Sequence, residues 1–196
     1  MNATVTPPPQ PVPTTNRMTA EEFGLKHAGE HVEYINGEVK EFPISGGGKH
    51  GKVCYRASMV VGQFVDATNW GHVFINDTFV KVPTKDDPDR VYGPDVCFIS
   101  FDRLPKDAEV TASTLTIVPN LVIEVRSPFD TWTSVFAKIV DYLNAGVSAV
   151  VLLDPTTQTA SVCGNEFWQR TFGPADTLTI PEVLPGFAVE VKKFFE

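Results

Sequence analysis

Two acidic residues set in apolar, strand-like segments are the feature of this sequence most able to do chemistry. Asp95 opens Pro94-Asp95-Val96-Cys97-Phe98-Ile99, and Glu124 lies inside Leu121-Val122-Ile123-Glu124-Val125-Arg126. Side chains alternate faces along a strand, so Asp95 shares a face with Cys97 and Ile99, and Glu124 shares one with Val122 and Arg126. A carboxylate in such surroundings is costly unless it is paired or bound to a cation. If the two segments are neighbouring strands, both groups converge on one ion, and hard oxygen donors of this kind suit Mg2+ or Mn2+. A basic side chain beside that ion can orient an attacking water and offset charge developing on a phosphate. Two are available. Arg126 follows Glu124 on the same face, and Lys138 lies in the next predicted helix. Such a set would suit metal-assisted hydrolysis at a phosphate.

The elements that must position these groups are legible in the pattern. Thr19-Ala20-Glu21-Glu22 has the form of a capping box and starts a short helix to about Lys26. Val32 to Phe42 reads as a hairpin, with Asn36-Gly37 supplying the positive-φ pair of a tight turn. A glycine-rich loop, Ser45 to Lys49, leads into a helix from His50 to about Thr68, with Val53, Ala57, Val60, Val61, Phe64 and Val65 at helical spacing. His72 to Val82 reads as one strand, and Asp95–Phe101, Asn120–Ser127 and Ala149–Leu153 as three more. The last is almost wholly apolar, as a strand covered on both faces would be. A helix from about Thr133 to Ala145 is closed by Gly146. From Phe167 to Phe195 short strands are separated by Gly173-Pro174 and Pro185-Gly186. The expected fold is mixed α/β, a central sheet flanked by helices.

Residues 1–17 form a Pro-rich tail without apolar periodicity, expected to be disordered, in which Pro8-Pro9-Gln10-Pro11 could dock an aromatic groove. A single domain is expected over 18–196. No apolar run approaches the roughly 20 residues of a membrane span, and no secretory leader pattern opens the chain, so a cytoplasmic protein is expected. Cys54, Cys97 and Cys163 are too scattered for a zinc knuckle or a disulfide framework and read as small buried hydrophobes. The net charge of −8 argues against a protein that coats nucleic acid by charge alone. It argues less against an enzyme whose bound cation supplies the local positive charge.

Taken in order, these pieces resemble a known family. Glu33-Tyr34-Ile35-Asn36-Gly37-Glu38, His50, Pro94-Asp95-Val96, Pro119-Asn120-Leu121-Val122-Ile123-Glu124-Val125-Arg126-Ser127-Pro128, Lys138, Tyr142, Gly146-Val147, Leu153-Asp154-Pro155 and Leu184-Pro185-Gly186-Phe187 follow the pattern of the Uma-type restriction endonuclease domain, a branch of the PD-(D/E)XK nucleases. The resemblance runs from about Met18 to the C-terminus. It implies a restriction-endonuclease-like core, a DNA substrate and Mg2+ or Mn2+. It implies that Glu33, Asp95 and Glu124 surround the metal and that Lys138 takes the lysine role, orienting water. Arg126 departs from the family pattern; arginine stays protonated and is a poor base, but it can clamp a phosphate. Either Arg126 or Lys138 fills the lysine role. His50, at a helix start after glycines, is a candidate phosphate contact or a plain polar helix-start residue. Nucleases of this type often pair to cut two strands, which allows a homodimer by analogy alone.

Each group also has a structural reading. Asp95 could cap a turn, Glu124 could be the buried ion-pair partner of Arg126 or Lys138, and Lys138, Glu33 or Glu38 could be solvated surface charges. Two rival functions follow. One is a nuclease fold with a weakened site, serving as a DNA-binding or protein-interaction module; the acidic balance and the arginine at position 126 favour it. The other is a nucleotide hydrolase, because Gly46 to Lys52 fits G-x-x-x-x-G-K and Val150-Val151-Leu152-Leu153-Asp154 resembles a magnesium-holding strand. Val53 stands where that loop needs Ser or Thr to hold magnesium, which argues against it.

Overall fold

The computed structural model describes residues 17–41, 47–76, 78–110 and 113–196. The Pro-rich tail before Arg17, with its Pro8-Pro9-Gln10-Pro11, and the Ser45-Gly46 part of the glycine-rich loop lie outside the described residues. Helix α1 (Ala20–Lys26) is capped as its sequence predicts: the Glu22 amide donates to Thr19 Oγ1 and the Thr19 amide to Glu22 Oε2. Strands β1 (Val32–Ile35) and β2 (Glu38–Glu41) form the hairpin, turned by Asn36 and Gly37 at φ 55° and 80°.

Helix α2 (Gly47–Thr68) begins earlier than expected, absorbing Gly47 to Lys49. Residues 47–52 are therefore helical rather than a phosphate-cradling loop, which removes the structural basis of the nucleotide-hydrolase reading. The predicted strand His72–Val82 divides into β3 (Gly71–Ile75) and β4 (Val80–Lys81), which join different sheets. Strands β5 (Val91–Tyr92), β6 (Val96–Ser100) and β7 (Leu121–Val125) precede helix α3 (Trp132–Ala145), which ends at Gly146 in the left-handed region, φ 104°. Strands β8 (Ala149–Asp154), β9 (Thr159–Gly164), β10 (Gln169–Phe172), β11 (Thr177–Ile180) and β12 (Leu184–Glu190) complete the chain. Sequence periodicity missed β9. Pro185-Gly186 does not separate strands; it sits within β12, where the pairing with β11 slips from Thr179↔Ala188 to Ile180↔Leu184.

The main sheet has the order β10-β9-β8-β7-β6-β3 and is mixed, with β7 and β8 parallel and its other neighbours antiparallel. Alternation along the strands sends two residue sets to opposite faces. On one, Val96, Phe98, Leu121, Ile123, Ala149, Val151 and Leu153 pack under Val53, Ala57, Val61 and Val65 of α2. On the other, Cys97, Ile99, Val122, Val150 and Leu152 pack under Ile139, Tyr142 and Leu143 of α3. The expected α/β fold, a mixed sheet flanked by helices, is thus the observed one. A second sheet, β2-β1-β5-β4, carries its own small core of Phe23, Tyr34, Phe79 and Val91.

Candidate active site

Asp95 stands one residue before the Val96↔Ile123 pair of β6 and β7, and Glu124 one residue after it, so the two meet across the end of that pair. The Val125 amide donates to Asp95 Oδ2 at 2.7 Å, and His50 Nε2 lies 3.6 Å from the same oxygen. Burial opposes ionisation of Asp95, but the His50 contact and the Val125 N–H outweigh it and hold the carboxyl below its usual range. His50 is raised in return, first by its close contact with the Asp95 carboxylate.

Glu124 is governed by different forces. Burial pushes its carboxyl up to about 7, and the neighbouring charges of Asp95 and Glu33 add to that, against the ammonium of Lys138 and the hydroxyl of Tyr142. Lys138 Nζ lies 2.7 Å from Glu33 Oε1 and 3.1 Å from Glu124 Oε1. Burial disfavours its charge, but Glu124 and Glu33 hold the ammonium well above its usual range. Tyr142, fully buried, donates its hydroxyl to Glu124 Oε1 at 2.7 Å. Lys138 and Tyr142 are four apart on α3, one helical turn, which is why both reach the same oxygen.

The shift at Glu124 has a thermodynamic signature. As pH rises from about 4.5 to about 7, the unfolded chain loses this proton first, so stability falls across that window. Glu124→Gln has no proton to lose there and is expected to flatten the decline. Urea-unfolding midpoints of both proteins at the two ends of the window measure it; parallel curves would contradict the assignment.

Glu33 comes from the second sheet. It is buried on β1, whereas Glu38 on β2 is exposed, so of the two hairpin glutamates only Glu33 belongs here. A polar network holds that sheet against α3. Tyr92 donates to Asp141 Oδ2 at 2.6 Å and Arg90 pairs with Asp141. Arg90 Nε donates to the buried Asp87 at 3.1 Å, and Asp87 also accepts the Asn36 amide at 2.6 Å. Lys138 lies over the Tyr92 ring, 5.3 Å from its centroid.

Arg126 goes elsewhere. The parallel β7–β8 register, Val125↔Leu153, sets it beside Asp154, and its guanidinium lies 3.2 Å from Asp154 Oδ2 and 4.4 Å from the centre of the Trp132 ring. No ion pair joins it to Glu124 among the described residues. Of the two candidates for the basic group, Lys138 is the one that meets the carboxylates. Sequence reasoning assigned no role to Tyr142 or to the Asp87–Arg90–Asp141 network. The four-residue step from Lys138 to Tyr142 was a readable signal; the network, which joins distant segments, left none.

The carboxylates fit a hard divalent cation. Asp95 Oδ1 and Glu124 Oε2 accept no hydrogen bond among the described residues, while their partner oxygens are fixed by Val125, Lys138 and Tyr142. Each residue thus has one anchored and one available oxygen. With no metal bound, no cysteine is an activated nucleophile: all three are buried, burial and then the Asp95 and Glu124 charges hold the Cys54 thiol well above its usual range, and burial with the Glu124 charge pushes Cys97 up to about 12.

A family model described as Uma2, putative restriction endonuclease, matches residues 17–192. The chain belongs to this family. A crystal structure of a putative nuclease belonging to DUF820 from Anabaena variabilis is similar to it in fold, with a TM-score of 0.74 at 24% identity, covering 91% of this chain and 97% of that one. No curated protein matches the sequence. Membership of the Uma2 family places the chain among nuclease-like proteins, whose substrate class is nucleic acid. Among the described residues of this Uma2 chain, no helix is long and apolar enough to cross a membrane.

Proposed function

We propose that the protein is a divalent-metal-dependent endonuclease that hydrolyses phosphodiester bonds of DNA. The observation that supports this most is the meeting of Glu33, Glu124 and Lys138 beside Asp95, four groups drawn from two sheets and a helix. Asp95 and Glu124 would hold Mg2+ or Mn2+. When bound, the ion supplies Lewis-acid polarisation of the scissile phosphate.

The remaining steps belong to the chain's own groups. An ammonium has three donors; Glu33 and Glu124 take two of those on Lys138, leaving one to orient the attacking water. The Tyr142 hydroxyl fixes Glu124 Oε1, so that its other oxygen keeps one direction. His50 positions Asp95 rather than reaching outward to the phosphate. Arg126, anchored on Asp154 and Trp132, is the phosphate clamp at the end of β7.

The test is nicking of supercoiled plasmid. Cleavage is expected with Mg2+ or Mn2+ and none after chelation with EDTA. A folded, pure protein that cuts neither DNA nor RNA with any divalent ion would sink the proposal and leave a nuclease fold serving as a binding module.

A further inference from the structure

A different donor set borders the carboxylate site. His50 and Cys54 lie four apart on α2, so both side chains leave the helix on one face. Asp95 meets them from the start of β6. One ligand atom from each of the three lies within 4.8 Å of the other two. Cys54 Sγ is 3.4 Å from His50 Nδ1 and 4.0 Å from Nε2, and Nε2 is 3.6 Å from Asp95 Oδ2. A tetrahedral Zn2+, with bonds of about 2.3 Å to sulfur and about 2.0–2.1 Å to nitrogen and oxygen, holds its donors about 3.4–3.6 Å apart. A turn of the His50 ring that aims Nε2 between the sulfur and the carboxylate brings the three onto one ion. The Val125 N–H, donating to Asp95 Oδ2, orients that ligand. Asp95 and His50 retain partial solvent exposure, which leaves an approach for the ion and a fourth position for water.

The geometry points to a second metal site, formed by His50, Cys54 and Asp95, that takes a thiophilic divalent ion such as Zn2+. A sulfur donor separates it in kind from the all-oxygen site, which suits harder ions. On binding, the Cys54 S–H bond breaks, its proton passes to the buffer, and the sulfur lone pair forms the bond to zinc. Histidine enters as the neutral imidazole. Because Asp95 is common to both sites, zinc held here takes a ligand from the hard ion; this competition, unlike the site itself, rests on the nuclease reading.

Cd2+ is the probe, since its thiolate complexes absorb in the ultraviolet. Titration of the full chain should raise a sulfur-to-metal band that saturates at one ion per chain. Cys54→Ala should abolish the band, and Cys163→Ala, which removes a thiol outside the cluster, should leave it intact. His50→Ala, at a part-exposed position, should weaken Zn2+ binding by more than about 10-fold, the loss that even a supporting partner of a ligand brings. No band in the native protein, or one that survives Cys54→Ala, overturns the site. In the plasmid assay Zn2+ should inhibit Mn2+-supported cleavage, and Cys54→Ala should need more than about 10-fold more Zn2+ for half-inhibition. Inhibition equal in both proteins overturns the competition. A band without cleavage in any ion leaves the zinc site standing and overturns the nuclease reading; cleavage without a band does the reverse.

Discussion

Asp95→Asn is expected to reduce divalent-metal-supported cleavage by at least about 10²–10³-fold, the scale on which removal of a single charge-stabilising group acts in a preorganised site. The substitution separates charge from architecture. Asparagine keeps an oxygen that can accept the Val125 amide, which donates to Asp95 Oδ2 at 2.7 Å, so the end of the β6–β7 pair keeps its tie. What disappears is one of the two negative charges proposed to hold the divalent ion. Single-turnover cleavage rates and circular dichroism, measured together, form the test. A variant that is folded and cuts at the native rate would show that Asp95 is not a ligand for the ion that matters.

Lys138→Met is expected to cost stability as well as activity, about 3 kcal/mol at neutral pH. Methionine fills similar volume but leaves Glu33 and Glu124 facing each other with no cation between them; both are largely buried, and the ammonium had served both. Removing one member of a buried ion pair costs more than the pair contributes, because the stranded charges remain desolvated. The carboxylates have one escape, which is to take up protons. The deficit should therefore be largest above about pH 7, where Glu124 ionises, and should shrink as pH falls. Urea unfolding across that range measures it. A deficit independent of pH would mean that lost packing, not charge, is the cause.

Much of the scaffold is legible in sequence because it rests on local rules. The capping box at Thr19, the Asn36-Gly37 turn and the Gly146 cap are set by neighbouring residues, and the structure has all three. The placement of Asp95 against Glu124 follows from two apolar segments becoming adjacent strands. What the sequence could not show depends on register and docking between remote segments. Arg126 shares the strand periodicity of Glu124, yet the parallel pairing with β8 delivers Asp154 to it first. The His72–Val82 run has one alternation but two destinations: β3 pairs with β6, and β4 with β5. Cys54 reads as a core residue, and only the packing of α2 against the start of β6 sets it, together with its helix neighbour His50, beside Asp95. Lys138 sits on a helix whose face could have been solvated. Both of its partners precede it in the chain, Glu124 by more than ten residues and Glu33 by about a hundred.

The Lys138 ammonium grips one glutamate from each of two separate sheets. It is therefore a clasp, besides the water-orienting role proposed for it. A chain whose small outer ribbon has not yet closed on the main layer lacks Glu33 and holds its lysine by one hand only. On the proposed chemistry, competence then requires that ribbon to be docked, so that a molecule with it undocked carries the residues without the tool.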